Sequence, residues 1–204
     1  MEIRKIDAKE KKIIKDVVQI HIETFKNFFL TFMGKGFLRS LYKSYCQHKE
    51  SGLLVAFEEN SLVGFLAYSG DYSGLYKFML KRKLILFAWF SICAFIRKPR
   101  IFTRLMRAFL KPNDVKRDEK YVELASIGVK KESKSKGIGT ALISELKKHT
   151  DFEKYSYISL ETDKDNNEVA NSFYLKNDFE LIRTFETREG RKMNEYRYKG
   201  DYSL

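Results

Sequence analysis

A glycine-containing turn, Lys134-Ser135-Lys136-Gly137-Ile138-Gly139-Thr140, separates an apolar run, residues 121–129, from an amphipathic run, residues 141–149. The apolar run favours a strand and the amphipathic run a helix. The first N–H groups of a helix have no partner within it and carry partial positive charge, and glycines leave those donors open. The turn is therefore predicted to bind an anion such as phosphate. A turn that only reverses the chain is the alternative, because the spacing fits neither the Walker nor the full Rossmann pattern.

Periodicity along the rest of the chain predicts an α/β domain with the element order βααβββαβαββ. The predicted helices are residues 8–25, 37–47, 137–149 and 166–175, the last of them capped by Asp165. A hairpin turn is expected at residues 58–61. The predicted strands are residues 2–6, 53–57, 62–68, 121–129, 155–160, 179–185 and 194–198.

Length and cysteine content predict a cytoplasmic protein with a single domain, residues 1–204, that contains one helical insertion, residues 71–119. The sequence begins without an apolar signal segment. Cys46 and Cys93 are too few for a disulfide framework and lack the spacing of metal ligands. The three histidines show no catalytic or metal-binding grouping, so each is interpreted as a surface or core residue and no metal is expected.

The positive charge is concentrated in the insertion. Residues 75–117 contain twelve basic residues and one acidic residue, and so carry +11 of the total formal charge of +12. The apolar run Leu84–Ile96 is roughly 20 Å long as a helix, which is too short to cross a hydrocarbon core of about 30 Å. Ile101–Leu110 has one apolar and one basic face, as a helix in an anionic membrane interface does. A lid or a dimerisation helix is the alternative, and no motif indicates a nucleic-acid partner.

Two segments together resemble the GNAT superfamily of acetyl-CoA-dependent N-acetyltransferases. The first is Val129–Thr140, and the second is the series Asn167, Ala170, Phe173 and Tyr174, with Leu160-Glu161 before it and Phe179 after it. The resemblance covers the chain except for the insertion. It implies a mixed central sheet flanked by helices, with the helical insertion between the third and fourth strands, and acetyl-CoA as co-substrate.

The resemblance also implies where the coenzyme binds. The family's loop reads Gln/Arg-x-x-Gly-x-Gly/Ala, and here lysine replaces its first residue, which keeps the charge but lacks the planar fork of arginine. The strand edge at Ile127, Gly128 and Val129 would pair with the pantetheine arm, and Asn167 would contact the coenzyme. The backbone N–H groups that would hold the pyrophosphate are those of Lys134, Ser135, Lys136, Gly137, Ile138, Gly139 and Thr140.

Tyr174 matches the family's frequent general acid, which would protonate the departing thiolate. A core aromatic residue is the alternative. Glu123 aligns with the catalytic glutamate of the family's histone acetyltransferases, and we expect Ala125 and Ile127 to share its face so that burial raises its pKa. A water-exposed glutamate is the alternative, with Ser126 holding a water molecule. Asp178 replaces the glycine usual before Phe179, but aspartate tolerates the left-handed conformation.

The function that the resemblance implies is direct acetyl transfer from acetyl-CoA to a primary amine of a small molecule. We expect the acceptor to lie over the aromatic stretch Phe25–Phe37. A nucleotide- or lipid-linked amino sugar of surface-polysaccharide synthesis suits this basic, aromatic chain. The competing interpretation is a non-catalytic GNAT-like module that acts as a membrane-associated scaffold. The insertion could also support peripheral membrane contact or a homodimer.

Overall fold

A seven-stranded mixed sheet forms the centre of the molecule, with the strand order β1-β2-β3-β4-β5-β7-β6. The computed structural model describes residues 1–26, 28–97, 99, 119–187 and 190–200. Neighbouring strands are antiparallel except β4 and β5, which are parallel. The predicted mixed α/β architecture is confirmed. The strands are β1 (Glu2–Lys5), β2 (Ser51–Glu58), β3 (Ser61–Ser69), β4 (Tyr121–Val129), β5 (Tyr157–Asp163), β6 (Glu180–Glu186) and β7 (Lys192–Tyr198).

The helices of the described chain are α1 (Lys11–Thr24), α2 (Phe29–Phe32), α3 (Lys35–Gln47), α4 (Tyr72–Arg97), α5 (Ile138–His149) and α6 (Glu168–Leu175). The short helix α2 forms within the aromatic stretch, where no helix was predicted. Helix α4 follows β3 and takes in the apolar run Leu84–Ile96, whereas the predicted amphipathic helix Ile101–Leu110 lies outside the described residues. No helix in the described part of the chain is both long and apolar enough to cross a membrane.

The sheet is covered on both faces, because each face packs against its own apolar cluster. Val17 of α1 and Leu38 of α3 belong to one cluster, and Leu142 of α5 to the other. Strand β2 is buried between them, since Leu53 and Val55 join the first cluster while Leu54 joins the second. A strand buried on both faces needs a continuous apolar run. The run Leu53–Phe57 therefore predicts the centre of β2 well.

The parallel strands β4 and β5 pair over only three positions. The pairs are Tyr121 with Tyr157, Val122 with Ile158, and Glu123 with Ser159. Beyond them β4 stays paired with β3, and β5 stays paired with β7 as far as Asp163. The strand predicted at residues 155–160 therefore ends too early. Pairing with β7 extends the observed strand through the polar residues 161–163. The two strands part and leave a gap.

A β-bulge in β4 changes which residues face α3. Leu124 pairs with Tyr68 and Ser126 with Ala67, so Ala125 has no counterpart on β3. The extra residue reverses the alternation of side chains. Ser126 consequently faces Tyr42 of α3, while Ile127 packs with the cluster on the α5 side. The expectation that Ile127 shares a face with Glu123 is wrong for this reason.

Candidate functional site

A cavity of about 370 Å³ opens where β4 and β5 part. Residues 124–127 of β4 and 160–163 of β5 line it beside the gap, together with Tyr174 of α6. Side chains from α1, α2, α3 and α4, with Arg191 and Met193, complete the wall. A volume of this size is typical of a site for one small molecule. The gap in the sheet thus forms one side of a pocket.

The turn before α5 presents open backbone donors. Ser135 and Gly137 adopt left-handed conformations, with φ of 64° and 77°, and Gly137 caps α5 without a side-chain hydrogen bond. The N–H groups of residues 135–140 donate no hydrogen bond to any part of the chain that the structure describes. Lys134 and Lys136 are exposed beside them. The residues predicted to hold a pyrophosphate are therefore brought together at one helix N-terminus, where the N–H of Lys134 donates to the Lys131 carbonyl and those of residues 135–140 remain open.

The two glycines of the turn have different environments. A Cβ atom at Gly137 would have no neighbour within 4 Å. A Cβ atom at Gly139 would lie 2.9 Å from Cζ of Phe173 on α6. Gly139 therefore allows α5 and α6 to pack closely, a role that the anion-binding interpretation of the turn does not include.

The start of α6 differs from its prediction. The helix begins at Glu168 with Asn167 at its N-cap position, and the left-handed Asn166 separates Asp165 from the helix. The prediction that Asp165 caps this helix is wrong. The Asn167 side-chain nitrogen donates to Thr162 Oγ1 at 2.8 Å and to the Asp163 carbonyl at 3.0 Å. These bonds hold α6 against the end of β5, and the Asn167 side-chain oxygen Oδ1, which accepts no hydrogen bond from the described residues, is left to contact a ligand.

Tyr174 lies on α6 with its ring packed against Phe179 and Tyr196. Its side chain is buried and lines the cavity. Burial raises the pKa of the Tyr174 phenol, so it stays protonated at neutral pH and can donate a proton. Its hydroxyl makes no hydrogen bond with any residue that the structure describes. The chain after α6 turns through Asp178 at φ 64°, as its sequence predicts.

Glu123 is half-buried and lies beside the cavity without lining it. Burial is the main cause that raises the pKa of Tyr72 on α4, and the nearby charge of Glu123 is the second cause. Val122 and Leu124 belong to the cluster on the α5 side. Glu123 therefore faces the opposite side of the sheet, toward which the bulge also turns Ser126. The assignment of Glu123 as the base stays a prediction.

A buried hydrogen-bonded chain joins three elements at the cavity wall. His21 Nδ1 lies 2.6 Å from the Tyr42 hydroxyl, which lies 3.3 Å from Ser126 Oγ. His21 is 1% exposed, and burial lowers its pKa to about 4. Its Nε2 atom is buried without a partner among the described residues. No sequence signal indicates this chain, because its members come from α1, α3 and β4.

Two carboxylates of β5 also line the cavity. Asp163 Oδ1 forms an ion pair of 2.7 Å with Arg191 Nη2, and Glu161 lies two residues before it on the same strand. No sequence motif assigns Glu161 or Asp163 a role. The one sequence signal near them is Leu160-Glu161, which forms part of the resemblance.

Parted parallel strands beside an open helix N-terminus have the shape and the free backbone donors that suit a coenzyme carrying phosphate. Residues 16–179 match the model of the acetyltransferase (GNAT) family. The chain belongs to this family and is an acetyltransferase. The predicted family, enzyme class and co-substrate, acetyl-CoA, are confirmed.

Solved structures of low sequence identity share the fold. The aminoglycoside 6'-N-acetyltransferase from Enterococcus faecium is 13% identical, with a TM-score of 0.61 and coverage of 98% of this chain and 97% of that one. An N-acetyltransferase from Staphylococcus aureus Mu50 is 13% identical, with a TM-score of 0.60 and 97% coverage of both chains. Arabidopsis thaliana NAA60 in complex with acetyl-CoA is 14% identical, with a TM-score of 0.56 and 97% coverage of both chains. No match is found among curated proteins.

Replacing Gly139 with alanine should lower the free energy of unfolding by about 1–3 kcal/mol, because the new Cβ atom would crowd Phe173. Urea unfolding measures this change. The double variant Gly139→Ala/Phe173→Leu should lose less free energy of unfolding than the sum of the two single losses. The shorter side chain of leucine makes room for the new Cβ atom. Thr140→Ala, at an exposed position of the same turn, is the control. Strictly additive effects would contradict the proposed packing.

Acidification should destabilise the fold through His21. Its pKa of about 4 in the folded chain lies below the reference value of 6.5, so between these pH values the unfolded chain binds more protons. The uncharged His21 therefore contributes its full stabilisation above pH 6.5. As the pH drops, the free energy of unfolding decreases, and at pH 4 it is lower by about 3 kcal/mol. Urea unfolding between pH 4 and pH 6.5 measures this change in the free energy of unfolding. The change should be absent in His21→Phe and present in His149→Gln. An unchanged pH dependence in His21→Phe would contradict the burial argument.

Proposed function

We propose that the chain transfers an acetyl group from acetyl-CoA directly to a primary amine of a small molecule. The observation that carries this proposal is the gap between β4 and β5, whose two sides line the cavity. The pyrophosphate would bind the N–H groups of residues 135–140 beside the exposed Lys134, and the pantetheine arm would lie along Ile127, Gly128 and Val129. Asn167 would contact the coenzyme near the end of β5. Binding along an unpaired strand edge gives the coenzyme main-chain hydrogen bonds.

In the reaction, the lone pair of the uncharged amine attacks the thioester carbonyl carbon. The C–S bond breaks, an amide bond forms, and the coenzyme leaves as a thiolate that takes a proton. Tyr174 is the proposed donor, since it lines the cavity and its raised pKa keeps it protonated. No metal ion and no covalent enzyme intermediate are needed for this sequence of steps.

The amine must lose a proton before or during its attack. Glu123 is one proposed acceptor, and a water molecule held by Ser126 is the other. His21 is a poor final acceptor, because a pKa of about 4 leaves it uncharged at neutral pH. We assign the hydrogen bonds from His21 through Tyr42 the role of orienting the Ser126 hydroxyl. The amino-sugar acceptor suggested by the sequence stays a prediction, which an acceptor screen tests.

Replacing Tyr174 with phenylalanine should lower kcat about a hundredfold while changing the Kd for acetyl-CoA less than twofold, because only the proton donor is lost. Release of the coenzyme thiol from acetyl-CoA measures kcat, and isothermal titration with acetyl-CoA measures the Kd. Tyr196→Phe is the matched control, since this neighbouring tyrosine is buried but does not line the cavity. Unchanged turnover in Tyr174→Phe would remove the residue from the mechanism. Absence of acetyl-CoA binding by the unmodified protein would instead favour the non-catalytic module.

We also propose that α4 contacts an anionic membrane surface. Its described C-terminal half exposes large apolar side chains, and Lys81 and Arg82 are exposed before them. Apolar side chains flanked by basic ones suit the boundary between headgroups and acyl chains. The exposed residues are Trp89, Ile92, Phe95 and Ile96.

Co-sedimentation with phosphatidylglycerol vesicles should detect this contact and weaken as salt screens the basic residues. Trp89→Ser combined with Ile96→Ser should reduce the bound fraction severalfold, since both side chains are exposed. Leu181→Ser, an exposed apolar position on β6, is the control. Failure to bind at low salt would contradict the proposal. A concentration-dependent dimer without vesicle binding would assign the α4 face to self-association.

A further inference from the structure

The part of the cavity farthest from the parted strands has an apolar lining. Phe25 and Phe28 extend from the end of α1, and their ring centroids lie 6.0 Å apart. Met33 and Phe37 are buried at the opposite end of the aromatic stretch. Helix α4 closes this region with further apolar and aromatic side chains, which are Tyr76, Met79 and Leu80.

The charges of this lining do not suit a phosphate group. Arg191 is the one basic side chain among the described residues that line the cavity apart from the neutral His21, and it is ion-paired with Asp163. Glu161 adds a second carboxylate. The described lining is therefore net negative, which attracts an ammonium group and repels a phosphate.

Most polar side chains of the lining other than tyrosines lie at or beside the parted strands, away from the aromatic stretch; they are Ser126, Glu161, Thr162, Asp163 and Arg191. The Tyr42 hydroxyl is engaged by His21 and Ser126, and the walls around it are largely aromatic or aliphatic. Each sugar hydroxyl that enters such a site without a hydrogen bond loses its bonds to water at a cost. An alkyl or aryl group entering the same space gains free energy by leaving water.

We propose that the acceptor is a primary amine with an apolar alkyl or aryl body and without phosphate. This inference rests on the proposed function and adds the chemical class of its acceptor. The body fills the region between the aromatic stretch and α4, and the amine points toward the parted strands near Glu161. The nucleotide-linked amino sugar predicted from the sequence fits this lining poorly, because the one permanently charged basic residue among its described members, Arg191, is already paired with Asp163.

A series of straight-chain alkylamines tests the proposal, because their amines have nearly equal basicity and differ only in apolar length. With the full chain and saturating acetyl-CoA, thiol release should give a kcat/KM that rises about fourfold per methylene from propylamine to hexylamine. 2-Phenylethylamine should be acetylated with similar efficiency to hexylamine. Kanamycin and a uridine-diphosphate amino sugar should be acetylated at least tenfold less efficiently.

Two variants link the preference to the cavity. Phe28→Ala should lower kcat/KM for hexylamine about fivefold and that for propylamine by a smaller factor, since the longer chain makes more contact with this ring. Leu181→Ala, exposed outside the cavity, should change neither value. Glu161→Gln should lower kcat/KM for both amines by a similar factor, because both carry the same ammonium group.

The outcomes separate this inference from the proposed function. Equal kcat/KM along the alkylamine series, or a higher value for the sugar or nucleotide amine, would overturn the apolar-acceptor proposal while leaving the acetyltransferase function intact. Loss of acetyl-CoA binding in isothermal titration, or binding without acetylation of any amine, would overturn the proposed function itself.

Discussion

The parting of β4 and β5 after Glu123 and Ser159 is the feature on which the rest of the site depends. Strand β4 stays paired with β3, and β5 stays paired with β7, so the sheet remains continuous. Only the edges of β4 and β5 that face each other lose their hydrogen-bonding partners. Backbone groups left in this way need a hydrogen-bonding partner, either water or a ligand. The unpaired edge of residues 124–129 can therefore receive a coenzyme arm as a further strand, and the gap gives that arm access to the cavity.

The bulge at Ala125 and the packing around it set the chemistry of the cavity. By reversing the alternation, the bulge brings Ser126 to Tyr42 and His21 on the α3 side. On the opposite side of the sheet, the close approach of Gly139 and Phe173 fixes α6, which carries Tyr174. The proposed acid, Tyr174 on α6, and the proposed water-holding residue, Ser126 on β4, thus line the same cavity from different elements.

Sequence reasoning recovered the elements whose signals are local. The largely apolar run at residues 121–129 and the glycine turn after it predicted β4 and α5 closely, because their patterns lie within the segments themselves. It failed where tertiary contacts decide. Residues 161–163 are polar and form strand only because β7 pairs with them. The bulge has no composition signal, and neither does the contact between His21 and Tyr42. Net charge does not predict the lining of the cavity, because Arg191 is the one permanently charged basic residue among the described residues that line it.

Hydrogen exchange, measured with and without acetyl-CoA, tests the role of the parted strands most directly. If the coenzyme lies along β4 with its pyrophosphate at the start of α5, amides within residues 124–129 and 135–140 should exchange more slowly when it is bound. Amides of β1, on the far side of the sheet, should not change. Protection that is absent from both segments, although acetyl-CoA binds, would contradict the account.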